Sequence, residues 1–157
     1  MDVQGGVTMC SYCGCEAEPV IAVLMDDHAT IASLVRDIEK CLDQGDLSSA
    51  FQCAADLEVM FRCHARTEER GLFSQLRAAD EAVEEVALLE ADHREILAGM
   101  SVAAGARDTE LLRQALDRLT VHAQTEDNDL FPFALQRLPN ENWALIEEVH
   151  QAMLIRW

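Results

Sequence analysis

Apolar residues recur at intervals of three or four from about residue 19 to the end of the chain, a spacing that predicts amphipathic helices. In the first helix the pattern is carried by Val20, Val23, Leu24, Ile31, Leu34, Val35 and Ile38. The chain has three prolines and seven glycines, so few residues are available to interrupt such helices. We therefore predict an all-α fold.

Polar and glycine-containing turns divide this pattern into four long helices and a short fifth helix. The long helices are expected over about residues 19–42, 46–79, 80–104 and 108–138. Asp46, Asp80 and Asp108 each precede a helix, where an aspartate side chain can cap the free backbone N–H groups. Short turns between long helices predict an up-down-up-down bundle over residues 18–157, preceded by an irregular cysteine-containing segment at residues 1–17.

Two motifs occur twice in the chain. The first is an Asp-His pair flanked by Leu and Ile, present as Leu24-x-x-Asp27-His28-x-x-Ile31 and again as Leu89-x-x-Asp92-His93-x-x-Ile96. The second is HxxxE, present as His64–Glu68 and His122–Glu126, and its spacing places both side chains on one helix face. Each histidine lies about 13–18 residues from the turn beside it, so at about 1.5 Å per residue all four reach one level of the bundle.

Four histidines and two glutamates at one level predict a site for two metal ions. Imidazole and carboxylate ligands without thiolate suit iron, manganese or zinc, and favour non-haem iron. A carboxylate has two oxygens, so each glutamate can reach the metal of its own histidine and also bridge to a second metal.

The order H…HxxxE…H…HxxxE over roughly residues 19–136 resembles the haemerythrin-like (HHE cation-binding) family. The resemblance implies a carboxylate-bridged di-iron centre that binds oxygen or related small molecules. By motif position, it implies the ligands His28 and His64 on one iron, His93 and His122 on the other, and Glu68 and Glu126 as bridges.

The chain departs from the oxygen-carrying haemerythrins at two places. Their third helix carries HxxxH, whereas Leu97 stands four residues after His93 here. Their last carboxylate is typically an aspartate one residue further on, whereas Glu126 keeps the HxxxE spacing with Asp127 beside it. The missing histidine leaves an additional coordination position, and open positions favour a reactive centre over a reversible carrier.

These features predict a protein that binds or turns over oxygen, hydrogen peroxide or nitric oxide. A catalase- or peroxidase-like role in oxidative or nitrosative stress defence would need no catalytic residues beyond the metal ligands. An oxygen or nitric oxide carrier or sensor, and an iron donor for iron–sulfur repair, are the alternatives. Cys10, Cys13 and Cys15 could form a second metal site or a redox dithiol, and some haemerythrin-like repair proteins carry such an N-terminal element.

The net charge of the chain argues against some classes of binding partner. A formal net charge of −17 argues against binding to nucleic acid or to anionic membrane surfaces. No secretory signal or transmembrane stretch is visible, and the six cysteines are expected to be reduced thiols, so we predict a cytoplasmic protein. We expect a monomer or weak dimer, with a reductant or an output partner still to be identified.

Overall fold

The computed structural model describes residues 18–154, apart from the side chain of Leu154, and this range contains no strand. Its helices are α1 (Pro19–Asp43), α2 (Leu47–Glu68), α3 (Ser74–Ala78), α4 (Val83–Ala106), α5 (Thr109–Thr125), α6 (Phe131–Arg137) and α7 (Asn140–Leu154). Two π-helical segments, π1 (Glu69–Phe73) and π2 (Glu126–Leu130), join α2 to α3 and α5 to α6. The all-helical prediction is confirmed for this range, and the up-down-up-down order and the boundary at residue 17 stay predictions. Cys10, Cys13 and Cys15 lie outside the described residues, so their predicted metal or redox role also stays a prediction.

Two apolar clusters fill the interior on opposite sides of the histidines. The larger cluster follows His28 and His93 and precedes His64 and His122 in their helices; it includes Ile31, Val35, Ile38, Leu57, Phe61, Ile96, Met100, Leu112, Leu116 and Leu119. The smaller cluster includes Ile21, Leu24, Leu72, Phe73, Leu76, Val86, Phe131, Ala134, Trp143 and Ile146. Burial of these side chains provides the main driving force for folding, and it leaves one polar layer between them.

Two of the three predicted caps are confirmed. The Asp46 side chain accepts a hydrogen bond from the Ser49 N–H, and the Asp108 side chain accepts from the N–H groups of Glu110 and Leu111. The prediction for Asp80 is wrong. Asp80 has a φ of 57° and closes the preceding helix, while α4 begins at Val83 without a side-chain cap.

The hydrogen bonds after α3 show why Asp80 cannot cap α4. The Asp80 N–H donates to the Arg77 carbonyl, and the Glu81 N–H donates back to the Leu76 carbonyl. This is the pattern of a helix that ends with one residue in the left-handed region. Aspartate is among the residues that tolerate that region, so it serves here as a helix terminator.

The second and fourth long helices, which are predicted as continuous α-helices, are interrupted in the structure. The second changes to π-helical geometry at Glu69, directly after Glu68, and the fourth changes at Glu126 itself. Pro132 lies in the first turn of α6, just after π2, where its missing N–H is tolerated. Such π segments inside helices occur frequently at functional sites. Within the described range, no helix combines the length and the apolar character required to cross a membrane.

Replacement of Asp108 by alanine should destabilise the protein by about 1 kcal/mol, because two N–H groups at the start of α5 lose their acceptor. Urea denaturation of Asp108→Ala measures the change. Asp117→Ala is the control, since Asp117 is exposed on the same helix. Equal stabilities for the two variants would contradict this role for Asp108.

Candidate metal centre

The six predicted side chains come together in the polar layer. α1 contributes His28, α2 contributes His64 and Glu68, α4 contributes His93, and α5 with the start of π2 contributes His122 and Glu126. All six are between 0% and 4% exposed. They form two groups that share the glutamates: His28, His64, Glu68 and Glu126, and then Glu68, His93, His122 and Glu126.

The first group has the spacing of ligands on one ion. The Nε2 atoms of His28 and His64 are 2.9 Å apart. His64 Nε2 is 3.3 Å from Glu68 Oε1, and His28 Nε2 is 3.2 Å from Glu126 Oε2. Donor atoms about 2.1 Å from one metal are about 3.0 Å apart at right angles and about 3.4 Å apart at tetrahedral angles. The observed separations therefore fit a common ion.

The second group uses the remaining oxygen of each glutamate. Glu68 Oε2 is 3.3 Å from His93 Nε2, and Glu126 Oε1 is 3.3 Å from His122 Nε2. The same Glu126 oxygen is 3.8 Å from His93 Nε2. Each carboxylate thus directs one oxygen to each pair of histidines, which is the arrangement that a bridging carboxylate requires.

The glutamate oxygens show that the layer suits cations. Glu68 and Glu126 are fully buried, and none of their four oxygens has a hydrogen-bond partner. The Nε2 atoms of His93 and His122 are also buried without a hydrogen bond. A buried carboxylate without compensation is costly, and the usual compensation is a bound cation or a paired positive charge. The residues present therefore fit two metal ions of the kind that imidazole and carboxylate bind.

A family model, the hemerythrin HHE cation binding domain, matches residues 20–135 of the chain. The chain belongs to the hemerythrin HHE family. Comparison with curated proteins and with solved structures finds no match. Membership in the family indicates a metal-binding, typically iron-binding, protein, and the two His/Glu groups are the residues that could hold the metal.

Acidic residues next to the motif positions hold the outer nitrogens of three imidazoles of this hemerythrin-like centre. His28 Nδ1 donates to Asp127 Oδ1 at 2.8 Å, and His93 Nδ1 donates to Glu69 Oε1 at 2.9 Å. His64 Nδ1 donates to Asp27 at 3.1 Å. Such bonds fix the ring orientation, direct the Nε2 lone pair inward and raise its basicity.

The sequence alone does not assign a function to Glu69 or Asp127. A signal was available, because an acidic residue directly follows the HxxxE glutamate in both halves of the repeat. A helix alone cannot show that these residues reach a histidine on another helix, so the packing had to be known. Leu97, at the position of the missing histidine, packs against the larger apolar cluster.

Aromatic rings enclose the layer from both sides. Phe131 stacks on His28 and Phe73 stacks on His93, each with ring centroids 5.6 Å apart. Phe61 presents its ring to the edges of His93 and His122 from the larger cluster. These fully buried rings restrict the rotation of the imidazoles and keep bulk water away from the carboxylates.

The carboxylates also control the protonation of the histidines. Burial alone would lower the pKa of His28, but Asp127 and Glu126 raise it to about 9. Burial likewise opposes the charge of His64, and the Glu68 and Asp27 carboxylates raise its pKa to about 10. In the absence of metal, protons on these rings supply positive charge to the layer.

Metal-free protein should lose stability in alkaline solution. The folded-state pKa values of His28 and His64, about 9 and about 10, lie above the ordinary value of 6.5. The stabilisation that their protonation provides is therefore fully present below pH about 6.5. It disappears as the pH rises through 9 and 10. Urea denaturation at pH about 7 and about 10 measures this loss, and metal-loaded protein should show a smaller one. Metal-free protein that is equally stable at both pH values would contradict stabilisation by protonated His28 and His64.

Proposed function

We propose that the protein is a non-haem di-iron protein that binds or turns over oxygen, hydrogen peroxide or nitric oxide. His28 and His64 would hold one iron, His93 and His122 the other, and Glu68 with Glu126 would bridge them. The observation that carries this proposal is the complete burial of two glutamates whose four oxygens face histidine nitrogens and have no hydrogen bonds.

The number of protein ligands favours turnover of a bound small molecule over its reversible carriage. Each metal position is offered two imidazoles and one oxygen from each glutamate, which is four protein groups. Leu97 packs in the apolar cluster and supplies none. Non-haem iron commonly accepts more than four ligands, so positions for exogenous molecules remain on both ions. Two bound irons would supply redox chemistry toward small oxygen or nitrogen species.

The chain itself performs three tasks at this centre. Glu69, Asp127 and Asp27 orient imidazoles through their Nδ1 atoms. Phe61, Phe73 and Phe131, all fully buried, exclude water. The buried carboxylates draw cations, or protons in their absence, into the layer, because they have no other source of compensating charge.

A cavity adjoins the layer at His64. Its volume is about 470 Å³, and its walls include His64, Asp27, Thr67 and His150. His150 is 7% exposed and lies in α7. The walls are mainly apolar, which suits the passage of oxygen, peroxide or nitric oxide rather than of charged metabolites.

Removal of one bridging carboxylate should abolish both metal pairing and peroxide turnover. We expect iron-loaded protein to contain two irons per chain and to release oxygen from hydrogen peroxide. Glu68→Gln should bind fewer than two irons and release no oxygen, because the amide lacks the charge that a bridge requires. Elemental analysis and an oxygen electrode measure these results.

Glu58→Gln is the matched control, since Glu58 lies on the same helix and pairs with Arg62 away from the centre. It should retain both irons and full oxygen release. Two irons per chain without oxygen release would contradict peroxide turnover and favour reversible binding of oxygen or nitric oxide. A chain that binds no iron would contradict the proposal as a whole.

A further inference from the structure

The hydrogen bonds around the four imidazoles are not equivalent in the two halves of the repeat. Asp27 precedes His28 and accepts from His64 Nδ1 at 3.1 Å. Asp92 occupies the same place in the second half, but its Oδ2 lies 3.8 Å from His122 Nδ1, too far for a hydrogen bond. His122 Nδ1 is buried and has no partner.

The Asp92 carboxylate has a second neighbour, Arg118. Its Nη2 and Nε atoms donate to Asp92 Oδ1 at 2.6 Å and 3.1 Å, and its Nη1 contacts Glu95. The guanidinium therefore engages Oδ1 twice, and the other oxygen, Oδ2, stays 3.8 Å from His122 Nδ1. Hydrogen bonds between charged groups are about twice as strong as those between neutral groups, and two donors on one oxygen fix its position more firmly than one donor does.

The other half of the repeat has no arginine at the matching position. Arg118 lies four residues before His122, and the residue four before His64 is Met60. Within the described residues, no arginine or lysine pairs with Asp27. Asp27 can therefore accept a hydrogen bond from His64 without competition, whereas Asp92 accepts hydrogen bonds from Arg118.

Solvent access does not distinguish the two halves. Asp92 lines an open cavity of about 510 Å³, and Asp27 lines the cavity of about 470 Å³ that also reaches His64. The His93–His122 side of the layer differs instead by the missing hydrogen bond at His122 Nδ1.

We propose that the two metal positions are unequal, and that the His93–His122 position binds its metal more weakly because Arg118 withholds Asp92 from His122. This inference rests on the proposed two-metal centre. Loss of such an outer contact typically costs 10–100-fold in metal affinity. The bridged pair, and the chemistry that depends on it, then forms only above a metal concentration set by the weaker position. Arg118 is a positioning residue that sets this concentration.

The order of loading can be observed with Zn²⁺, a diamagnetic ion that takes the same ligands. Metal-free protein with ¹⁵N-labelled histidine is titrated with Zn²⁺ and followed by long-range ¹H–¹⁵N NMR. The first equivalent should shift the Nε2 signals of His28 and His64, and the second those of His93 and His122. The two dissociation constants should differ about tenfold or more.

Substitution at Arg118 tests the cause. Arg118→Met installs the residue found at the matching position and should narrow the gap between the two constants about tenfold. Arg113→Met is the control, since it removes the same charge from the same helix and pairs with Asp43 instead. In an Asp92→Asn background, Arg118→Met should have no effect, which separates release of Asp92 from a general change in charge.

Three results would count against these ideas in different ways. Simultaneous loading of all four histidines, or loading of His93 and His122 first, would overturn the inequality. An unchanged gap in Arg118→Met would overturn the role of Arg118. Uptake of fewer than two zinc ions by the unmodified chain would instead contradict the two-metal centre itself.

Discussion

The structure depends on the burial of two carboxylates that have no hydrogen-bond partners. Glu68 and Glu126 lie between two apolar clusters, and their four oxygens face the Nε2 atoms of histidines from four helices. Such groups are tolerated in an interior only if positive charge accompanies them. In the metal-free chain, protons on His28 and His64 supply this positive charge, because the neighbouring carboxylates raise the pKa values of both imidazoles. Metal ions would supply it more completely. The polar layer, the outer acidic residues and the surrounding phenyl rings are all arranged around this requirement.

Much of this arrangement could be predicted from the sequence, because it is periodic. The recurrence of apolar residues indicated helices, and the doubled Asp-His and HxxxE motifs indicated one layer of six polar residues. The structure brings all six together. The caps at Asp46 and Asp108 could also be predicted from the sequence, since the hydrogen bonds that define them span only two or three residues.

The remaining features depend on contacts between helices or on small departures from regular geometry. Asp80 was expected to start a helix and instead ends one, because aspartate suits both positions and only the φ of 57° decides between them. The π segments that begin at Glu69 and at Glu126 leave no clear mark on the apolar pattern. The pairing of Asp127 with His28 joins residues 99 positions apart. The diversion of Asp92 by Arg118 likewise requires knowledge of how α4 and α5 pack.

The central claim is that six side chains hold two bridged metal ions, and anomalous X-ray scattering from crystals of iron-loaded protein tests it most directly. The account predicts two anomalous peaks per chain, one within bonding distance of the Nε2 atoms of His28 and His64 and one within bonding distance of those of His93 and His122. Both glutamates should contact both peaks. A single peak, or peaks at positions away from Glu68 and Glu126, would contradict the account.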